Sequence, residues 1–74
     1  MQITVKLVGA FQVGRFKEET FCYPDGIAVQ EVVNDLQLPR QILGIVLING
    51  VHAGFDDSLA DGDRLTLLPI LDGG

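Results

Sequence analysis

The residues IVLING occupy positions 45–50 and carry the clearest structural signal in this sequence. The first four form a continuous apolar run rich in β-branched side chains, which is typical of a buried strand. Asn49 and Gly50 form the strongest two-residue hairpin signal, because both tolerate a positive φ. We therefore predict a strand over 45–48 and a short β-like return through Val51.

Three other segments have the composition of strands. Residues 3–7 (ITVKL) alternate apolar and polar side chains, which is the period of a strand with one buried face. Residues 20–23 (TFCY) are rich in β-forming side chains and are predicted to pair back on the first strand as a hairpin. Residues 64–68 (RLTLL) predict the last strand, with Pro69 at its end.

One segment changes to the period of a helix. Apolar residues with the i, i+3, i+4, i+7 spacing of one helix face stand at Val29, Val32, Val33 and Leu36. The helix is predicted to have about two to three turns and to end before Pro39. The order β-β-α-β-β, with a short β-like segment after the hairpin turn, predicts an α+β roll of the β-grasp kind. In this fold one main helix packs on one face of a mixed sheet of about four to five strands.

Length and composition limit the classes of protein to which the chain can belong. It has 74 residues, 47% of them hydrophobic, which predicts one folded domain over 1–74. The net charge of −5 repels nucleic-acid phosphates and anionic lipids, so neither nucleic acid nor a membrane is an expected partner. No stretch approaches the roughly 20 apolar residues of a membrane span, and no export signal follows Met1, so we expect a cytoplasmic protein.

The residue types that most often carry chemistry are scarce. Cys22 and His52 are the only cysteine and histidine, so the sequence predicts neither an intramolecular disulfide nor a metal site. We expect Cys22 to be a small buried hydrophobic side chain and His52 to be a surface residue. Asp61 and Asp63 flank Gly62 in a turn and are interpreted as structural, since two carboxylates without further ligands bind calcium weakly.

Four short motifs resemble those of one known family. They are VLING at 46–50, LADGDRL at 59–65, LP at 68–69 and GG at 73–74. Their order and rough spacing resemble the MoaD/ThiS family, which contains the molybdopterin synthase small subunit and the thiamine-biosynthesis sulfur carrier. These are ubiquitin-like proteins, and the resemblance spans essentially the whole chain. The PxxxGG ending and the long connection before the second strand look more like the molybdopterin branch.

This resemblance implies that the chain is a sulfur carrier. It implies that an E1-like adenylating enzyme uses ATP to adenylate the Gly74 carboxylate, which a sulfur donor protein then helps to convert to a thiocarboxylate. The thiocarboxylate would donate sulfur, most simply in molybdopterin or tungstopterin cofactor biosynthesis together with a larger molybdopterin-synthase-type subunit. The chain is then a carrier and cosubstrate rather than an enzyme, with no bound cofactor of its own.

The last residues of the chain suit this role. Gly73 and Gly74 lack Cβ atoms, so they could enter a narrow tunnel in a partner. Residues 71–74 are expected to form a flexible tail, which in an extended conformation would reach roughly 13 Å beyond the sheet. Partner-binding residues are expected on the sheet face away from the helix and along the tail, at Ile45, Leu47, Leu68, Pro69, Ile70, Leu71 and Asp72. Alternatively, the protein's own loops cover both faces of the third strand.

Other functions are compatible with the same sequence. A thiamine-type sulfur carrier or a ubiquitin-like protein modifier would use the same activated Gly74, and the modifier would join it to lysines of target proteins. A protein of another class, a non-catalytic interaction module, would leave the tail idle. An independent enzyme is the weakest alternative, because the sequence has no evident nucleophile–base pair and no Gly-rich phosphate loop.

Overall fold

The computed structural model describes residues 1–70 of the 74 in the chain. Its strands are β1 (Gln2–Leu7), β2 (Glu18–Cys22), β3 (Leu43–Ile48), β4 (Val51–His52) and β5 (Arg64–Pro69). Helix α1 spans Val29–Asp35, and two short 3₁₀ helices span Gly9–Gln12 and Arg40–Ile42. The strands form one sheet in the order β2-β1-β5-β3-β4. The predicted flexible tail, residues 71–74, lies outside the described residues.

The sheet is mixed because the neighbouring inner strands β1 and β5 run parallel, with Val5 opposite Leu65. The other pairs are antiparallel: β1 with β2, β5 with β3, and β3 with β4. A parallel pair needs a long connection, and here that connection contains β2, α1, β3 and β4. The predicted α+β roll, with one main helix and a mixed sheet, is confirmed.

The hydrophobic core lies between α1 and one face of the sheet. Alternate residues of β1 and β5 are fully buried there, together with the α1 residues that follow the helix spacing. These residues are Ile3, Val5, Leu7, Leu65, Leu67, Val29, Val32 and Val33. Phe11 from the first 3₁₀ helix completes this layer and is also fully buried. Each large apolar side chain buried here contributes roughly 1.5–3 kcal/mol to the stability of the fold.

Helix α1 is short and is closed by local contacts at both ends. The Ala28 backbone N–H donates a hydrogen bond of 2.8 Å to the Glu31 carboxylate, which satisfies one free donor at the start of the helix. After the helix, the chain turns through Gln37, whose φ is 55°.

No helix within residues 1–70 is both long and apolar enough to cross a membrane.

The predicted hairpin turn is confirmed. Asn49 and Gly50 have φ values of 53° and 81°, as a type I′ turn requires. The Asn49 side chain adds two contacts: its Oδ1 accepts a hydrogen bond of 2.9 Å from the Arg64 backbone N–H, and its Nδ2 donates one of 2.9 Å to Asp63. The hairpin is thereby tied to the start of β5.

Several strand boundaries differ from the predicted ones. β2 begins at Glu18 rather than Thr20 and ends at Cys22, because its pairing with β1 covers this range. β3 begins two residues earlier than predicted, at Leu43, which pairs with Pro69 and so includes that proline in β5. These boundaries are set by partner strands, which a local sequence pattern does not show.

The prediction of a buried Cys22 is wrong. β2 is an outer strand of the sheet, and Cys22 is exposed. Phe21 lies opposite the buried Ile3 and therefore faces the helix side. Side chains alternate along a strand, so Cys22 points to the uncovered face. His52, on the other outer strand, is exposed as predicted.

Candidate functional site

The face of the sheet away from α1 is uncovered, and we call it the open face. On this face, Ile45 of β3 lies opposite Leu68 of β5, so two apolar side chains meet there. Leu47 of β3 lies two residues further along, opposite Thr66 of β5. We call Ile45, Leu47 and Leu68 the apolar patch. Ile45 is 39% exposed, and the other two are half-buried. The loops within residues 1–70 therefore leave the open face of β3 partly accessible to solvent.

The opposite side of the open face is polar. Arg64 makes two hydrogen bonds with the Glu18 carboxylate across β1, at 2.9 Å and 3.2 Å. The hydroxyl groups of Thr4 and Thr20 are 3.0 Å apart on the same side. The apolar patch is consequently confined to one corner of the sheet, where β3 and β5 pair.

β5 ends beside the apolar patch, at the point where residues 71–74 begin. The Ile70 backbone N–H donates a hydrogen bond of 2.6 Å to the Ile42 carbonyl. Pro69 is half-buried, whereas Ile70 is 53% exposed. We call Pro69 and Ile70 the tail root. The backbone of the tail root is hydrogen-bonded to the residue just before β3, whereas the side chain of Ile70 faces solvent.

The structure brings the described members of the predicted site together at this corner. They are Ile45, Leu47, Leu68, Pro69 and Ile70. The remaining predicted site residues lie outside the described residues, and they are Leu71, Asp72, Gly73 and Gly74.

Sequence reasoning missed two residues at the same corner. The Ile42 carbonyl holds Ile70, and Gly44 is the extra residue of a β-bulge between Leu43 and Ile45. A glycine inside an apolar run signals a bulge or a close backbone approach, so Gly44 could have been found. The Ile42 carbonyl carries no such signal, because every residue has one.

The acidic turn around Gly62 has the structural role predicted for it. Gly62 has a φ of 86°, which glycine adopts readily. Asp61 accepts a hydrogen bond of 2.7 Å from the Gln2 backbone N–H, and Asp63 accepts one of 2.8 Å from the Ala60 backbone N–H. The two carboxylates therefore fix the turn and attach it to β1.

Two features common to catalytic sites are absent from the described part of the chain. Residues 1–70 contain no enclosed pocket and no group of three His, Cys, Asp or Glu side chains placed to hold a metal ion. Cys22 and His52 lie on the two outer strands, separated by β1, β5 and β3. At about 4.8 Å per strand the two strands are roughly 19 Å apart, which is too far for a nucleophile–base pair. The geometry instead places the end of β5 beside a partly exposed apolar patch.

Several solved structures share this fold. A candidate molybdopterin converting factor subunit 1 from Pyrococcus furiosus has a TM-score of 0.77 and 21% identity, covering 96% of this chain and 99% of that chain. Small archaeal modifier protein 1 from Haloferax volcanii has a TM-score of 0.77 and 21% identity, covering 95% of this chain and 98% of that chain. A chain from the complex of subunits 1 and 2 of the Helicobacter pylori molybdopterin-converting factor has a TM-score of 0.68 and 21% identity, covering 100% of both chains. The fold is therefore the ubiquitin-like β-grasp fold.

Sequence comparison gives the family. No match was found among curated protein sequences. The ThiS family, in contrast, matches residues 5–74. This range includes the whole apolar patch, the tail root and the Gly73-Gly74 pair. The chain belongs to the ThiS family.

Proposed function

We propose that the protein is a sulfur carrier whose Gly74 carboxylate is adenylated and converted to a thiocarboxylate. The observation that carries this proposal is the ThiS-family match, which runs through residue 74 and so includes Gly73-Gly74. The apolar patch beside the tail root supports it, since a carrier must dock on the enzymes that act on its end. The similarity to molybdopterin converting factors from Pyrococcus and Helicobacter favours molybdopterin biosynthesis as the pathway, and tungstopterin biosynthesis would use the same carrier chemistry.

Activation is needed because a carboxylate is a poor electrophile. A Gly74 carboxylate oxygen attacks the α-phosphorus of ATP, the bond from that phosphorus to the bridging oxygen breaks, and pyrophosphate leaves. Hydrosulfide or an equivalent sulfur nucleophile then attacks the carbonyl carbon of the acyl-adenylate. The carbon–oxygen bond to AMP breaks, AMP leaves with its electron pair, and loss of the sulfur proton gives the thiocarboxylate.

The thiocarboxylate then transfers its sulfur to an acceptor. Its sulfur attacks an electrophilic carbon of the precursor, the bond from that carbon to its leaving group breaks, and a thioester between the carrier and the precursor forms. Water cleaves this thioester, which leaves the sulfur on the precursor and returns the Gly74 carboxylate. The carrier supplies the carbonyl carbon, while its partners supply ATP and the catalytic groups, so the protein acts as a cosubstrate.

The apolar patch is the proposed docking surface for the adenylating enzyme and for a larger synthase-type subunit. Partly exposed apolar side chains next to a polar rim are typical of protein interfaces. The tail root residues Pro69 and Ile70 would continue this contact toward the active site of the partner. Leu71 and Asp72 would follow, with Asp72 suited to a basic groove.

Pyrophosphate exchange tests the activation step. With ATP and an adenylating enzyme from the same source, labelled pyrophosphate should enter ATP in the presence of the intact carrier. Deletion of Gly74 should abolish the exchange, and Gly73→Val should reduce it strongly because a side chain obstructs the tunnel. Gly54→Ala is the matched control, since a Cβ there meets only Asp57 Oδ2 at 3.9 Å. Equal exchange with and without Gly74 would favour an interaction module with an idle tail.

The similarity to small archaeal modifier protein 1 favours protein modification as a second candidate function. A target lysine amine would attack the same activated carbonyl carbon, AMP would leave, and an isopeptide bond would form. The two functions differ in their product. A tagged copy expressed in its own cells should give a ladder of conjugates if it is a modifier, whereas a carrier should accumulate the thiocarboxylate. Deletion of Gly74 should remove either product.

A further inference from the structure

β3 contains a bulge directly beside the end of β5. Leu43 pairs with Pro69 and Ile45 pairs with Leu68, so Gly44 is an extra residue between two consecutive pairs. A bulge bends its strand and redirects the chain around it. This bulge lies opposite the last residues of β5, immediately before the tail.

Gly44 packs closely against Ile70. A Cβ at position 44 would lie 3.0 Å from both the Cα and the N of Ile70 and 3.2 Å from its Cγ1. Ordinary contacts between carbon atoms lie at about 3.5–4.0 Å, so a side chain at 44 would have to displace Ile70. The φ of Gly44 is outside the left-handed region, so the position requires glycine for its space and not for its backbone angles.

The tail root has neighbouring segments on two sides. On the β3 side, the Ile70 N–H is bonded to the Ile42 carbonyl at 2.6 Å. On the other side, the first 3₁₀ helix begins at Gly9, which lies so near Pro69 that an added Cβ would be 3.5 Å from the Cγ of that proline. The chain is therefore hydrogen-bonded on one side and closely approached on the other just before residue 71.

We propose that Gly44 is a positioning residue for the activation of Gly74. Its missing side chain allows Ile70 to bond to Ile42, and this bond fixes the point from which residues 71–74 enter the partner. The inference rests on the proposed function. Four residues bound in an extended conformation by a partner would leave little slack, so a displaced root would move the carboxylate once the apolar patch is docked. A misplacement of about 1 Å can cost about a hundredfold in rate.

A graded pair of variants, Gly44→Ala and Gly44→Val, tests the proposal beside the Gly54→Ala control. Single-turnover adenylation should slow about threefold for the alanine and about tenfold or more for the valine variant. The Kd for the adenylating enzyme should rise by a smaller factor than the adenylation rate falls, since Ile45, Leu47 and Leu68 of the apolar patch are unchanged. Exchange of the Ile70 amide hydrogen should become faster in both variants as its bond to Ile42 weakens. The control should match the wild type throughout.

The outcomes separate this inference from the proposed function. Protection of the Val5 amide in the inner strand β1 should be unchanged, which shows that the variants are folded. Equal adenylation rates for the wild type and both Gly44 variants would overturn the positioning role alone. Slower adenylation without faster Ile70 exchange, or with an equal loss of affinity, would overturn it as well. A wild type that is not adenylated by an enzyme active on another carrier would instead overturn the proposed function, and the positioning role with it.

Discussion

Asp63 connects parts of the chain that are far apart in the sequence. Its carboxylate accepts hydrogen bonds from the Ala60 backbone N–H at 2.8 Å and from the Asn49 side chain at 2.9 Å. Asn49 in turn accepts a hydrogen bond from the Arg64 backbone N–H. One residue therefore links the acidic turn, the hairpin and the start of β5.

Replacement of Asp63 by alanine should lower the free energy of unfolding by about 1–3 kcal/mol, because two donors lose their acceptor. Asp56→Ala is the matched control, since Asp56 is an exposed aspartate in a neighbouring turn. The control should change the free energy of unfolding by less than about 0.5 kcal/mol. Urea denaturation measures both values. Equal losses for the two variants would show that the Asp63 hydrogen bonds contribute nothing.

Tyr23 couples the stability of the fold to alkaline pH. Burial raises the pKa of its hydroxyl above the ordinary value, and the hydrogen bond of 3.0 Å that it donates to Asp35 raises this pKa further. The unfolded chain therefore releases the tyrosine proton at a lower pH than the folded chain. The stability due to this group is complete below about pH 10, the ordinary tyrosine pKa, and declines as the pH rises further.

The variant Tyr23→Phe should be less stable than the wild type at pH 7, by about 1 kcal/mol for the lost hydrogen bond. This difference should shrink above about pH 10, where the wild type is destabilised by ionisation and the variant is not. Urea denaturation of both proteins from neutral to alkaline pH measures the difference. A constant difference across this range would contradict the raised pKa of Tyr23.

At the residue scale, the predictions succeeded where geometry is local. The positive φ angles of Asn49 and Gly50 follow from the conformational preferences of these two residues, and the structure confirms them. The burial of Cys22 was predicted wrongly because exposure depends on the position of β2 at the edge of the sheet. Nothing in residues 20–23 shows which strand is outermost.

Among the elements, the hairpin between β3 and β4 depends most directly on one residue. Gly50 has a φ of 81°, and a Cβ there would meet no atom within 4 Å. Gly50→Ala should therefore destabilise the protein through backbone strain alone, by about 1 kcal/mol. Gly54→Ala is the control, because its surroundings are similarly open and its φ is outside the left-handed region. Equal thermal midpoints for the two variants would contradict this explanation.

The order and type of the elements were predictable because hydrophobic periodicity is a local property. The apolar patch could also be predicted, since alternation along the strands places Ile45 and Leu68 on the face opposite the core-facing residues. The beginning of β2 could not be predicted, because Glu18 joins the strand through its pairing with β1 and its ion pair with Arg64. The bond between Ile70 and Ile42 likewise depends on how β5 and β3 meet.

For the molecule as a whole, the open face should determine affinity for the adenylating enzyme. Ile45→Asp places a charge in the apolar patch and should raise the Kd by about tenfold or more, because docking would desolvate that charge. Val51→Asp is the control: Val51 is 67% exposed and lies opposite Ile48, which packs against the core, so it faces the helix side. Its Kd should stay within about twofold of the wild-type value. An equal loss of affinity for both variants would move the docking surface elsewhere.

The intact mass of the protein after reaction tests the central claim most directly. The purified chain and a Gly74-deleted control are each incubated with ATP, an adenylating enzyme from the same source and a sulfide donor. A sulfur carrier should gain the mass difference of one oxygen replaced by sulfur at Gly74, and the deletion variant should gain nothing. If the mass of the intact chain is unchanged with an enzyme active on another carrier, the sulfur-carrier function is contradicted.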